Sequence, residues 1–545
     1  MLGRLLALAA CALPLASALP KIHAKGKYLY DESGNRFYIK GVAYQEAGEL
    51  GPETEANAAN GGYPEPTTYV DPLALPSSCD RDLPYLKQLG VNAVRVYSVN
   101  SQLNHDECMT KLSEAGIYTM IDLSLPLNGS INRAAPSWTT NLQKLYTDTI
   151  DAFSKYDNVL SYNVANEVIN LPNNTHTAPF IKAAARDIKA YLKSKGSSAL
   201  VGYSTVDASL IRDNVVQYLT CNDAETSVDI IGLNTYRWCG TDDISSSGYD
   251  QITQLFQNTP VPAYLSEFGC QKELPRLFTE PAAFFSDAMT SVWSGGVAFS
   301  YFVAQIPDFE LVTLSGANNE TVTTNADFTR LQNSYSSASP SNSPSESSVT
   351  QLSFPSCPAQ GDGTTSTGAA TQWLGSTTLP PTPQQSVCDC LSDTAFSCTA
   401  SRQAANSPLI LGSLLDYGCS LLGQNGMSCD EISENGATGT YGKYSLTKLN
   451  YVLTTWYQSQ NRALAACNFN NNATINMGAP TTTKELDDNA AQCLAGFAPT
   501  SVPSSGSSGT KSGSSSNSAM GMHGAGLAVA LVGTMGAMAG AMLMW

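Results

Sequence analysis

Glu167 and Glu267 are the side chains of this sequence best suited to chemistry. Glu167 stands in Ser161-Tyr-Asn-Val-Ala-Asn-Glu-Val168, and Glu267 in Pro262-Ala-Tyr-Leu-Ser-Glu-Phe-Gly-Cys270. Each follows a short apolar run of the kind that forms a buried strand, and each precedes polar or glycine-containing turn residues. Two carboxylates facing one bond suffice for glycoside cleavage: one gives a proton to the leaving oxygen, the other attacks or activates water. A lone glutamate at a strand end is more often solvated or ion-paired. Here Asn166 precedes Glu167 and offers an amide that can hydrogen-bond a sugar 2-hydroxyl, a contact that strengthens in the transition state. That points to Glu167 as general acid/base and leaves Glu267 as nucleophile. Glu267 should then be the more acidic of the two while both are free.

Arg95 and Tyr97 fall at the end of a second strand, Tyr236 and Trp238 after a sixth, and Tyr301 at the end of an eighth. Rings at a barrel mouth stack on sugars, and tyrosine hydroxyls bond hydroxyls or a carboxylate; packing is the even alternative for each ring alone. Other chemistries lack their residues. The four histidines, His23, His105, His176 and His523, have no metal-pair spacing. There is no Gly-x-Ser-x-Gly elbow, phosphate loop or dinucleotide fingerprint, so neither metal nor cofactor is expected. A net charge of −17 argues against nucleic acid as partner.

Carboxylates at the exits of two parallel strands are how a (β/α)8 barrel builds an active site at its C-terminal face. Eight strands are predicted: Phe37–Tyr44, Val91–Val99, Tyr118–Leu123, Val159–Val164, Leu200–Ser204, Ile230–Leu233, Ala263–Leu265 and Val297–Phe302. Helical spacing lies between them, as in Asp80–Leu89, Leu142–Tyr156, Pro179–Lys193 and Pro281–Trp293. The alternation fits one α/β TIM barrel over residues 19–335, with Glu167 after strand four and Glu267 after strand seven. Residues 336–386 are rich in Ser, Pro and Thr and read as a linker or loop-rich extension, tied by Cys357. A second unit, 387–496, holds Cys388, Cys390, Cys398, Cys419, Cys429, Cys467 and Cys493. It reads as a small disulfide-stapled, mainly helical module, with helices over Pro408–Leu422 and Leu446–Gln458.

Met1–Ala18 has the basic, apolar and small-residue segments of a secretory signal. A Ser/Gly-rich stalk, 497–518, and an apolar tail, 519–545, form the pattern of a GPI-attachment signal whose tail is removed. The missing basic cluster disfavours a transmembrane helix there. Attachment is expected between Ser514 and Asn517. Sequons at Asn128, Asn173, Asn319 and Asn472 fit a glycoprotein. The expected location is the outer face of the plasma membrane or the wall, with the membrane as partner through the anchor.

The motifs carry a resemblance. The chain resembles fungal cell-wall β-1,3-glucanosyltransferases of glycoside hydrolase family 72. The match runs through Phe37-Tyr-Ile-Lys-Gly-Val-Ala-Tyr-Gln45, Ala93-Val-Arg-Val-Tyr97, Ser130-Ile-Asn-Arg133, Ala165-Asn-Glu-Val168, Ser266-Glu-Phe-Gly-Cys270 and Pro275-Arg-Leu-Phe-Thr-Glu280. The module from Cys388 looks like the cysteine-rich β-1,3-glucan-binding module of one subgroup (carbohydrate-binding module family 43). The resemblance implies internal cleavage of a β-1,3-glucan donor and transfer of the retained part to the non-reducing end of a β-1,3-glucan acceptor. It matches Glu167 with the acid/base and Glu267 with the nucleophile. It also matches Gln45, Tyr97, Asn166 and Tyr236 with sugar-contacting positions, and implies disulfides Cys79–Cys108, Cys221–Cys357 and Cys239–Cys270. Three stretches depart from the pattern. Ser124-Leu-Pro-Leu127 lacks two carboxylates, Phe309-Glu310 in Val303–Val312 replaces a Tyr-Gly pair, and the module lacks a cysteine between Tyr441 and Tyr451. A glucan hydrolase and a weakly catalytic glucan-binding wall protein are the alternatives these departures keep open.

Overall fold

The computed structural model describes residues 19–48, 68–126, 129–133, 136–304, 308–361, 373–405, 408–432, 445–495 and 500–501. The expected signal segment, the apolar tail, the GPI attachment site, the Asn128 sequon and Leu127 lie outside the described residues.

Eight strands build the core: β1 Ile39–Ala43, β2 Ala93–Val96, β3 Tyr118–Asp122, β4 Val159–Asn166, β5 Leu200–Val206, β6 Ile230–Asn234, β7 Ala263–Phe268 and β8 Trp293–Ala298. They close into a barrel, β8 pairing with both β7 and β1, and each pairing is parallel. Closure leaves no strand edge unpaired. The helices outside are α1 Pro76–Leu89, α2 Asp106–Glu114, α3 Thr140–Phe153, α4 Ala178–Ser194, α5 Arg212–Leu219, α6 Tyr249–Phe256, α7 Glu280–Phe284 and α8 Ala326–Ser337. Local signals set their ends. Thr139 caps α3 by accepting from the Leu142 amide, and Gly90, with φ 74°, ends α1 in the left-handed region.

Strand alternation divides the apolar residues into two layers. Val42, Val94, Val96, Ile121, Val201, Ile231 and Leu265 face the helices. Ile39, Ala93, Met120, Leu160, Ile230, Tyr264 and Val297 fill the lower barrel, where Leu29 of the short N-terminal hairpin packs beneath them. Polar residues occupy the inward positions toward the other end. Two bulges add Asn166 and Glu267 to them. The β4–β5 register shifts between Asn163 and Asn166, and the β6–β7 register shifts between Leu233 and Asn234. Each extra residue reverses the alternation, so Asn166 pairs with Ser204 and Glu267 with Asn234 instead of turning toward the helices.

The last strand differs from the sequence-based expectation. It spans Trp293–Ala298, not Val297–Phe302, and the helix expected over Pro281–Trp293 stops at Phe284. The Gly295-Gly296 pair hides the strand from propensity reasoning. Gly295 has φ 102°, and a Cβ there would lie 2.2 Å from the Ile39 carbonyl oxygen, so the close approach of β8 to β1 demands glycine. Strand two is also shorter than Val91–Val99. Its ladder ends where the Tyr97 and Ser98 amides donate to Gln45 Oε1 (3.1 and 2.9 Å).

The Ser/Pro-rich stretch after α8 has little apolar surface of its own and is strapped along the barrel. Tyr38, Tyr30 and Arg36 donate to the carbonyls of Ser341, Pro344 and Ser343, and Gln351 donates to Pro260 O. Further on, buried Trp373 packs at a tilt against Tyr218 (5.4 Å between ring centres). Cys221 and Cys357 are disulfide-bonded, as are Cys79–Cys108 and Cys239–Cys270. The C-terminal module contains helices Pro408–Gln424 and Ser445–Ser459 around a small core of Leu414, Leu449, Leu453 and Tyr457, and helix Thr483–Cys493, whose Ala490 packs with Val387, Leu391 and Phe396. Disulfides Cys390–Cys493, Cys398–Cys467 and Cys419–Cys429 staple it, and Cys388 is unpaired among the described residues. Among the described residues no helix is long and apolar enough to cross a membrane.

Candidate active site

The C-terminal ends of β2, β3, β4, β6 and β7 converge on one hydrogen-bonded cluster. Glu267, in β7, is 3 % exposed. Its Oε1 accepts from Tyr97 Oη (2.9 Å) and Arg95 Nη1 (3.2 Å), and its Oε2 accepts from Tyr236 Oη (2.6 Å). Arg95, in β2, is fully buried and spans the cluster. It forms a two-pronged pair with Asp122 at the end of β3 (2.8 and 3.3 Å) and donates to Asn166 Oδ1 (3.0 Å). Burial works against its charge, but the Asp122 and Glu267 carboxylates hold it protonated. Burial also raises the Tyr97 and Tyr236 phenols well above their usual range, so both stay neutral donors.

Glu167 follows β4 directly, is 6 % exposed, and has φ 50°. Such a backbone is costly for a residue with a Cβ and persists only where its surroundings enforce it. The enforcing bonds are its N–H to Ser204 O (2.9 Å) and Arg133 Nη2 to its carbonyl (3.0 Å). Its Oε1 accepts from Asn234 Nδ2 (2.7 Å), which also donates to Asn166 Oδ1 (3.1 Å). Asn234 is fixed in turn by Ser266 Oγ, which donates to its Oδ1 (2.6 Å).

The two carboxyls therefore ionise differently. Burial raises Glu167, and repulsion from Glu267 adds to it, bringing it to about 7. Burial raises Glu267 too, but Arg95 and the two phenols oppose the rise. Hydrogen bonds and a cation on the ionised form favour that form, so the proton of the pair belongs to Glu167. One buried acid beside one buried carboxylate is the arrangement of an acid/base and a nucleophile.

The chain matches the family model described as glucanosyltransferase, glycoside hydrolase family 72, over residues 12–339. The chain belongs to this family. Residues 396–474 match the X8 domain. The 1,3-beta-glucanosyltransferase gas1 of Schizosaccharomyces pombe is 40 % identical over 467 residues, which cover 84 % of this chain and 79 % of that protein. The 1,3-beta-glucanosyltransferase GAS2 of Saccharomyces cerevisiae is 38 % identical over 433 residues, covering 78 % and 73 %. A mutant of Saccharomyces cerevisiae Gas2p in complex with laminaritetraose and laminaripentaose superposes with a TM-score of 0.72. It is 33 % identical, with 87 % of this chain and 99 % of that one covered.

Not every residue expected at the site of this family member reaches the carboxylates. Tyr301 lies beyond the true end of β8, is fully buried, and donates to Asp82 Oδ1 (3.3 Å) beside Tyr44. Because β8 begins at Trp293, Phe299 stands at the mouth in its place, edge-on to Tyr97 and Tyr236 (6.3 Å each). Trp238 is also buried; its Nε1 donates to Thr279 Oγ1 (2.8 Å), and its ring packs on Tyr249. Gln45 is near the site with both ends of its amide engaged. Its Oε1 takes the Tyr97 and Ser98 amides, and its Nε2 donates to Val70 O (2.6 Å) and Glu46 O (3.2 Å). A sugar contact by Gln45 would have to replace one of these. Sequence reasoning missed Asp122 and Asn234. Both are polar residues closing apolar strands at inward positions, a signal it left unused.

Proposed function

We propose that the protein is a β-1,3-glucanosyltransferase that works with retention through a covalent glycosyl-enzyme. The triple donation of Arg95, Tyr97 and Tyr236 to Glu267, opposite the protonated Glu167, carries this reading. Glu167 protonates the departing glucan while Glu267 attacks the anomeric carbon. Glu167, now ionised, then takes the proton of an incoming hydroxyl from a second glucan as it displaces Glu267. Asn166, whose Oδ1 is held by Arg95 and Asn234, has its Nδ2 left to donate to the sugar 2-hydroxyl. A positioned acceptor outcompetes water because orientation gives effective concentrations on the order of 10⁵ M or more. The names of the relatives and the laminari-oligosaccharides bound to Gas2p support β-1,3-glucan as donor and acceptor, and the same glucan is the ligand proposed for the C-terminal module. Six disulfides among the described residues are consistent with an oxidising location outside the cell. Secretion and a GPI anchor at the outer plasma-membrane face complete the proposal.

The test is incubation with a reduced linear β-1,3-gluco-oligosaccharide and mass analysis of the products. Products longer than the donor are expected. Shorter products alone would make the protein a hydrolase, and binding without turnover would make it a glucan-binding wall protein.

A further inference from the structure

Pro275-Arg-Leu-Phe-Thr-Glu280 lies outside the carboxylate cluster, yet it holds a buried cation. Arg276 is 2 % exposed, in the loop after β7. Its Nε donates to Asp327 Oδ2 (2.6 Å) at the start of α8, its Nη1 to Phe299 O (2.8 Å), and its Nη2 to Glu310 O (3.3 Å). Its guanidinium lies 4.9 Å from the Phe278 ring centre and 5.8 Å from that of Phe309. The Phe299 and Phe309 rings pack on each other (5.2 Å), Phe309 packs on Tyr236 (5.4 Å), and Phe299 packs on both Tyr97 and Tyr236. These tyrosines are the phenols that donate to Glu267. Glycine is required where the loops meet. Gly269 has φ 122°, and a Cβ there would lie 3.3 Å from both Phe299 O and the Phe278 ring.

We infer that Arg276 is a positioning residue for the nucleophile. It fixes the backbone at Phe299 and at Glu310, the residue after Phe309, and the Phe299 and Phe309 rings buttress the two phenols that donate to Glu267. This rests on the glucanosyltransferase reading for its kinetic consequence, but not for its effect on Glu267 itself. A planar fork is needed because three acceptors in three segments are held at once; a lysine ammonium cannot span them in that geometry. Loosening the rings lengthens the phenol bonds, and a carboxylate with weaker donors takes up its proton at higher pH.

The experiment compares wild type, Arg276→Lys and Phe309→Leu. The second variant removes one ring and leaves the buried charge pair intact, so it reports even where the first folds poorly. Turnover of reduced laminari-oligosaccharides is followed against pH. Protonation of Glu267 is followed separately by infrared difference spectra on pH titration, assigned by the band lost in Glu267→Gln. Both variants should lower kcat on the order of ten- to a hundredfold, with KM changed far less. In both, the acid limb of the profile and the infrared midpoint of Glu267 should move to higher pH together. A Glu267 midpoint identical to wild type in folded Phe309→Leu overturns the inference. Absence of turnover in wild type overturns the functional reading instead, and the infrared midpoints still decide the role of Arg276.

Discussion

The two sides of the barrel mouth hold the same residue type in opposite states. On the β7 side Glu267 receives a guanidinium and two phenols. The loops beyond it are joined by Cys239–Cys270, each cysteine three residues past a key side chain, Tyr236 or Glu267. On the β4 side Glu167 receives an amide from Asn234, sits on a left-handed backbone, and is dominated by burial. Donor count and local charge, not residue identity or depth, decide which glutamate is the acid. Both are buried almost equally.

The largest expected effect separates these sides directly. Glu267→Gln should abolish transfer, by at least about 10⁴-fold in kcat, with an unchanged circular dichroism spectrum. Glu167→Gln should cost about 10²–10⁴-fold on natural glucan, the usual range for a lost general acid. With a nitrophenyl laminarioside donor, whose leaving group needs no proton, formation of the glycosyl-enzyme in Glu167→Gln should recover most of that loss. Equal loss in both variants on both donors would mean the two sides are not functionally distinct.

Much of this contrast was legible in the sequence, and the illegible part has physical causes. The two glutamates, the strand alternation and the cysteine-rich module follow from short-range pattern. Glu167 follows strand four as expected, whereas Glu267 lies inside strand seven, which runs to Phe268 and not only to Leu265. The bulges at β4 and β7 do not appear in the pattern, yet they turn Asn166 and Glu267 inward. The start of β8 was hidden by Gly295-Gly296, whose role is a close approach to β1 and not a side-chain preference. That shift moved Tyr301 into the packing around Asp82 and put Phe299 at the mouth. Asp122 and Asn234 act through partners far away in sequence, which one-dimensional spacing does not reveal.

A smaller effect concerns stability. Glu167 is held up to about 7 in the folded chain against an ordinary carboxyl value of 4.5. The fold therefore binds this proton more tightly than the unfolded chain does. Its contribution is complete below about pH 4, falls as pH rises, and is lost above about 7, a change of about 3 kcal/mol. Buried Glu280, also at about 7, adds a slope of the same sign. Denaturant unfolding at a series of pH values should show stability declining across this window. Glu167→Gln should flatten the decline without removing the part due to Glu280. An unchanged slope would place the proton elsewhere and dissolve the contrast between the two sides.

The smallest effect probes a single bond on the weaker side. Asn234 Nδ2 donates to Glu167 and thereby favours the carboxylate. Asn234→Ala removes that donor, so Glu167 should hold its proton longer. The alkaline limb of the kcat profile should then move up by as much as about one pH unit, the size of one lost hydrogen bond. The acid limb belongs to Glu267, whose three donors lie on Arg95, Tyr97 and Tyr236, and it should stay in place. The same substitution also strands Ser266 Oγ, so a modest loss of thermal stability should accompany the shift. If both limbs moved together, the pair would be titrating as one unit, and the independence of the two sides would fail. If only the alkaline limb moves, one amide at the end of β6 is enough to set the pH at which the acid is spent.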